Sequence, residues 1–314
     1  MQSHDIAICC CALAAAGAAL AAVLWRSSNT PTNGGVAIRI GQKTRFIIST
    51  SGRPKSLRRY QILLQELLRL DLAYVPISSS SGKIDPQHYV WALRGMNCLG
   101  GAISKDIKHT IIPFLDEIDE LAQEVQSVNT VINNGGKLSG YNTDAMGFRQ
   151  AIIRGIVESK IKVKTAVVYG YGGVSSVVFH VLKELGMQVF VTGRRMEQAR
   201  ARAKEFGVGV FEGGSTPACD LFVNATPVTD TDLGLAINFL PALAGAKCAF
   251  DHEMPGRCLQ EYCADHGIFH IPGTAMYYPQ MSLQWELFLP NEAVGGRLPA
   301  LLLEADERAG AAVT

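Results

Sequence analysis

Four residues in the first half of the chain carry groups that bind polar ligands or move protons: Ser104, Lys108, Asn129 and Asp144. Each lies at the end of an apolar run or the start of a helical pattern, where a rigid element presents its side chains. If those ends converge, Lys108 and Asp144 form an acid/base pair, with the carboxylate holding an ammonium that contacts a substrate hydroxyl or carbonyl. Spacing alone leaves open the alternative that both are surface charges. A second group lies further on, where Ala166-Val167-Val168-Tyr169 runs into Gly170-Tyr171-Gly172-Gly173-Val174-Ser175 and then a helical pattern. A strand, a Gly-x-Gly-x-x-small turn and a helix make the dinucleotide fingerprint. Gly170 makes the turn, Gly172 lets the backbone approach a pyrophosphate, and the helix start stabilises the phosphates. A plain tight turn is the alternative.

The end of the next strand selects the nucleotide. An acidic residue there accepts from the ribose hydroxyls of NAD, whereas arginine there receives the 2′-phosphate of NADP. The chain has Gly193, Arg194 and Arg195, with no carboxylate before Glu197, which points to NADP. With a hydride carrier in one half, the Lys–Asp pair in the other would move the accompanying proton.

The elements that must position these groups read as alternating strands and helices. Strands are expected at Phe46–Thr50, Leu72–Pro76, Cys98–Ser104 and Val128–Val131, with a hairpin-like turn at Asn133-Asn134-Gly135-Gly136. Helices are expected after Pro54, over His88–Arg94, from Lys108 to Ile112 and from Asp144 to about Val157. In the second half, strands at Ala166–Tyr169, Val189–Thr192, Leu221–Asn224, Cys248–Asp251 and Ile268–Ile271 alternate with helices, and Ala275–Phe288 and Pro299–Arg308 close the chain. The fold class is therefore α/β. An N-terminal α/β substrate-binding domain over 38–143 precedes a Rossmann NADP-binding domain over 144–274, and helices over 275–314 return to the cleft.

Composition narrows the partners. The 314 residues allow two domains, and a net charge of +1 gives no field for nucleic acid or an acidic partner. Of the 8 cysteines, three are consecutive (Cys9, Cys10, Cys11) and the others show no CxxC pair, which favours a reduced compartment. His252 with Glu253, or His266 with His270, lacks the spacing of a closed metal site. Ile6–Trp25 is uncharged and long enough to span a bilayer, and a polar linker follows it within residues 1–37. It is read either as a membrane anchor for a cytoplasmic catalytic part or as an extension without a structural role. A small-molecule substrate is expected, with the chain a monomer or homodimer.

Val128-Asn129-Thr130-Val131 with Gly140-Tyr141-Asn142-Thr143-Asp144 resembles the signature of shikimate dehydrogenases. Gly170-Tyr171-Gly172-Gly173, Asn224-Ala225-Thr226-Pro227 and Gly273-Thr274-Ala275-Met276 with Gln280 follow in the family's order, over roughly Arg45 to Leu289. The resemblance implies that Lys108 is the catalytic lysine and Asp144 its partner. It implies that Ser56, Ser104, Asn129 and Gln280 bind substrate, and that Gly170, Gly172, Gly173, Arg194, Arg195, Thr226 and Met276 bind NADP. The implied reaction is reversible reduction of a cyclic 3-oxo acid, 3-dehydroshikimate, to shikimate. The alternatives are a quinate or aminoshikimate-type dehydrogenase, or a catalytically silent NADP-binding sensor.

The first loop departs from the family, with Ser51-Gly52-Arg53-Pro54-Lys55-Ser56-Leu57-Arg58 closer to the shikimate-dehydrogenase-like subgroup. Arg58 stands where a second serine is usual, and could grip a carboxylate or fill the pocket. Lys105-Asp106-Ile107 before Lys108, and Pro227-Val228-Thr229-Asp230 after Thr226, also depart from the pattern.

Overall fold

Apolar runs of four or five residues between turn-forming clusters become the strands of two sheets. The computed structural model describes residues 38–50, 54–77, 79, 82–104, 107–213, 218–227, 239–252, 257–289, 294 and 296–311. The Ile6–Trp25 expectation therefore lies outside the described residues. Among those described, no helix is long and apolar enough to cross a membrane.

The first sheet contains β1 (Arg45–Ser49), β2 (Leu72–Pro76), β3 (Cys98–Ala102), β4 (Glu117–Ile118), β5 (Thr130–Asn134) and β6 (Lys137–Tyr141), in the order β2-β1-β3-β5-β6-β4. β1 runs parallel to β2 and β3, while β5 is antiparallel to both β3 and β6. The β5–β6 hairpin turns on Gly135 and Gly136 at φ +61° and +97°, the left-handed pair that matches strand twist.

The second sheet contains β7 (Thr165–Tyr169), β8 (Gln188–Thr192), β9 (Gly209–Val210), β10 (Leu221–Asn224), β11 (Cys248–Asp251) and β12 (Phe269–Ile271). Its order is β12-β11-β10-β7-β8-β9, and every pairing is parallel. The order reverses between β7 and β10, so the segments after these two strands flank the crevice in which such sheets bind ligands. Both faces are covered. Ala166 and Val168 enter one core cluster while Val167 and Tyr169 enter another, which is why β7 reads as continuously apolar.

The helices are α1 (Pro54–Gln61), α2 (Pro86–Gly95), α3 (Glu120–Glu124), α4 (Thr143–Ser159), α5 (Ser175–Glu184), α6 (Met196–Phe206), α7 (Phe239–Leu243), α8 (Arg257–Asp265), α9 (Thr274–Phe288) and α10 (Leu298–Ala311). A π-helical turn, Ile62–Leu67, follows α1 and buries Ile62, Leu63 and Leu64. Trp285, Met281 and Phe288 of α9 lie in the core of the first sheet, whereas Met276 lies in that of the second. This one helix therefore ties the two layers together.

One expected helix is shorter than its sequence pattern. From Ile107 the chain makes a single turn, closed by Ile111 N donating to Ile107 O, followed by the 3-10 helix Ile112–Phe114. Pro113 has no N–H with which to continue an i→i−4 ladder.

Candidate active site

The Lys108 and Asp144 backbones are both fixed by the short segment before β5. Val128 N donates to Lys108 O at 2.9 Å, and Ser127 O accepts from Asn142 Nδ2 at 2.7 Å. Asn142 caps α4, its Oδ1 accepting from Ala145 N at 3.1 Å. Asp144 thus sits in the first helical turn, where the macrodipole favours a carboxylate. Lys108 Nζ donates to Asp144 Oδ2 at 2.5 Å, with the two side chains 22% and 15% exposed. Burial alone would raise the Asp144 pKa. The charge and hydrogen bond of Lys108 outweigh it, together with the Asn129 amide, and the carboxyl is held below its ordinary value.

Of the expected polar ligands, Asn129 and Gln280 meet beside this pair at Thr143, whereas Ser104 and Ser56 bond to other partners, Thr50 and Arg59. Asn129 Nδ2 and Gln280 Nε2 both donate to Thr143 Oγ1, at 2.9 Å and 3.0 Å. Asn129 Oδ1 in turn accepts from Thr143 N at 3.0 Å and from Thr130 Oγ1 at 2.8 Å. Thr143 is thus a hub that sequence reading passed over, although it stands beside Asp144 in the signature. Gln284 was also missed, and its Nε2 donates to Thr130 Oγ1 at 2.9 Å. Ser104 N donates to Thr50 Oγ1 at 2.6 Å, and the two hydroxyls lie 2.9 Å apart. Ser56 Oγ accepts from Arg59 Nη2 at 3.4 Å. Arg58 is half-buried on α1, while Arg59, which sequence reading passed over, is buried. Of the departures noted in the loops, Ser51–Arg53, Lys105–Asp106 and Val228–Asp230 lie outside the described residues.

His252 follows β11 and packs against Phe148 and Phe250, with ring centroids at 5.9 Å and 5.0 Å. Burial lowers its pKa to about 4, Asp144 pulling it up and Lys108 pushing it down, so the imidazole is neutral near pH 7.

The glycine turn lies at the reversal of the second sheet. Gly170 has φ +121°, and a Cβ there would stand 2.6 Å from Thr226 Cγ2 and 3.1 Å from Ala225 O. No other residue allows β7 and β10 to end so close together. Asn224 Oδ1 holds Thr226 by accepting from its N at 3.1 Å and its Oγ1 at 2.7 Å. At Gly172 a Cβ would meet nothing within 4 Å, so its backbone faces open space. The helix α5 begins at Ser175, and its N-cap Val174 supplies no side-chain hydrogen bond. Arg194 and Arg195 are exposed just after β8, and Arg195 N donates to Tyr171 OH at 3.3 Å, which joins them to the turn. An open glycine backbone, an uncapped helix start and two exposed guanidinium groups form a donor set suited to a phosphorylated dinucleotide.

The two regions face each other. A Cβ on Gly173 would lie 3.4 Å from Nε2 of His109, the neighbour of Lys108. His109 Nδ1 contacts Gln126 O at 2.5 Å and must carry the hydrogen there, since a carbonyl only accepts. Met276 is buried, and its carbonyl would be 2.8 Å from a Cβ on Gly147, so α4 and α9 meet backbone to backbone at this point.

A parallel sheet with a glycine turn at its reversal, beside a second α/β layer offering a Lys–Asp pair, is a two-layer α/β architecture with a Rossmann half. No family model matches the chain. Its relatives are nevertheless shikimate dehydrogenases and a shikimate dehydrogenase-like protein. The chain is 34% identical over 178 residues to shikimate dehydrogenase (NADP(+)) of Halothermothrix orenii, a match covering 51% of this chain and 60% of that protein. It is 28% identical over 259 residues to the shikimate dehydrogenase-like protein of Haemophilus influenzae, covering 79% of this chain and 92% of that one. The structure superposes with a TM-score of 0.64 on the shikimate 5-dehydrogenase of Thermus thermophilus in complex with NADP(H) and shikimate. That match has 28% identity and covers 84% of this chain and 99% of the other.

Proposed function

We propose that the chain is an NADP-dependent oxidoreductase acting on a CH–OH group, reversibly reducing 3-dehydroshikimate to shikimate or a closely related hydroxylated cyclic acid. The observation that carries this reading is the 2.5 Å Lys108–Asp144 contact, placed next to a residue, His109, whose ring lies beside Gly173 of the glycine turn. Relatives named for NADP and for shikimate support the choice of cofactor and substrate class. In this reading, residues 38–143 bind the substrate, 144–274 bind the nucleotide, and 275–314 close over both.

NADPH, when bound, supplies a hydride. The chain supplies the proton: the Lys108 ammonium donates to the substrate carbonyl oxygen during reduction and takes the proton back in the reverse direction. Asp144 holds that ammonium in place. Ser104, Asn129 and Gln280 orient the ring hydroxyls, each already held by a neighbouring threonine. Gly170, Gly172 and Gly173 would receive the pyrophosphate, Arg194 and Arg195 the 2′-phosphate, and Thr226 and Met276 would line the remainder of the nucleotide site.

The test is a spectrophotometric panel of shikimate, quinate and aminoshikimate, each with NADP+ and NAD+, following the reduced cofactor. Turnover of at least one acid with NADP+ is expected. Silence with every acid, alongside intact NADP+ binding, would leave a nucleotide sensor in place of an enzyme.

A further inference from the structure

The last helix is tied to α1 and α9 through one buried cation. Asp306 of α10 accepts from Arg59 Nη1 at 2.7 Å, from Tyr278 OH at 3.2 Å and from Lys55 Nζ at 3.3 Å. Arg59, only 3% exposed, lies over the rings of Tyr60 and Tyr277 at 4.9 Å and 5.3 Å. Its Nη2 donates to the Tyr277 hydroxyl and, at 3.4 Å, to Ser56 Oγ.

A guanidinium only donates, so it engages an oxygen lone pair of Tyr277 and leaves the phenol hydrogen to point elsewhere. Among the described residues none accepts that hydrogen. Tyr277 is half-buried on α9, directly after Met276 and three residues before Gln280, whose amide meets Thr143 beside Asp144. Ser56, on α1, is the hydroxyl that the family resemblance gives to the substrate. A single guanidinium therefore draws together two hydroxyls from different helices, and Asp306 neutralises the charge behind them. The result is a pair of oriented neutral donors, a set that suits a carboxylate.

We infer that Tyr277 is a further substrate-binding residue, donating with Ser56 to the substrate's carboxylate, and that Asp306 is the residue that positions both through Arg59. This rests on the reading of the substrate as a cyclic carboxylic acid. It makes the C-terminal helix a determinant of substrate affinity, and it explains how the first loop can lack the second serine yet keep two hydroxyl donors.

The test uses the full chain saturated with NADP+, with shikimate, quinate and shikimate methyl ester titrated by calorimetry. Tyr277→Phe is expected to weaken shikimate and quinate about tenfold, the loss of one hydrogen bond to a charged group. The methyl ester should bind both proteins alike, and NADP+ affinity and the melting temperature should not move. Unchanged acid binding would overturn the assignment. So would equal weakening of acid and ester with a fall in melting temperature, which would make Tyr277 structural. If the wild-type chain binds neither acid, the substrate reading itself fails and the Tyr277 assignment with it. Binding by the wild type that Tyr277→Phe leaves intact removes only the latter.

Discussion

Replacing Lys108 with Met keeps the length of the side chain and removes its charge. Two effects follow, and they are separable. The catalytic one is loss of the proton donor, for which general acid–base contributions run at about 10²–10⁴-fold in kcat. The other falls on Asp144. Its carboxyl is 15% exposed, and burial alone would raise its pKa, with Lys108 the main force holding it down. In the wild-type protein the folded value lies below the unfolded one. The carboxylate therefore contributes stability above about pH 4, and this is lost as pH falls through the lower folded value. In Lys108→Met the attraction is gone and the sign reverses: the folded value rises, so the variant is destabilised at neutral pH and regains ground as Asp144 protonates. Partial exposure of both groups keeps the neutral-pH cost to roughly 1–2 kcal/mol, below the range for a fully buried pair. The assay is steady-state turnover with NADP+ plus denaturant unfolding at pH 7 and pH 4, for Lys108→Met, Asp144→Asn and the double variant. Because the two residues act as one device, the double variant should be no slower than Lys108→Met within about threefold. A kcat for Lys108→Met within tenfold of wild type, or single effects that multiply in the double variant, would refute the reasoning.

Alanine at both Arg194 and Arg195 should weaken NADP+ about tenfold or more and leave NAD+ unchanged, as measured by fluorescence titration. Gly147→Ala places a Cβ 2.6 Å from Gln280 Cβ, so α4 and α9 must part. Overpacking of this kind costs about 1–3 kcal/mol, and calorimetry should show a melting temperature lower by about 2–4 °C for each of those. Asp220 is 7% exposed, and burial alone would raise its pKa, but Lys247 and the backbone N–H groups of Lys164 and Thr165 pull it down to about 2. Its contribution, on the order of 2 kcal/mol, is present above about pH 4 and lost as pH falls towards 2, so Asp220→Asn should flatten that part of the acid unfolding curve.

The inner strands of the second sheet were legible because they are buried on both faces, whereas the two-residue edge strand β9 is half-buried and was not expected. Val167-Val168 and Leu221-Phe222-Val223 leave no polar position to mislead a reading, and Gly170 announces the turn. The first layer was legible as elements but not as a site. Lys108 and Asp144 stand 36 positions apart and meet because Val128 N binds the Lys108 carbonyl while Ser127 O holds the side chain of Asn142, the cap of the helix that carries Asp144. Nothing local encodes that convergence. Thr50 and Thr143 were invisible for a related reason: each is one hydroxyl among many until a partner distant in the chain reaches it. Arg59 carries no local signal of its burial. Its burial depends on Asp306, 247 positions away. The 3-10 helix after Lys108 could have been found, since Pro113 was in plain view.

Under the proposed function, the arrangement separates the residues that would carry the reaction from those that would choose the substrate. Asp144 occupies the first turn of α4, Gly147 lets α9 lie against the same helix one turn later, and Phe148, Ala151 and Ile152 sink into the core beneath the second sheet. One rigid helix therefore spans from Asp144 to the layer carrying the glycine turn. The groups that would contact the carboxylate, Ser56 and Tyr277, are set instead by Arg59 and Asp306 on α1 and α10, outside that helix. Changes in α1 or α10 can retune the acid that is bound without moving Lys108 against Asp144. The 2.5 Å contact of Lys108 with Asp144 is made without any residue of α1 or α10. The same logic assigns separate effects to variants: those on α1 and α10 should appear in KM for the acid, and those at Lys108 and Asp144 in kcat.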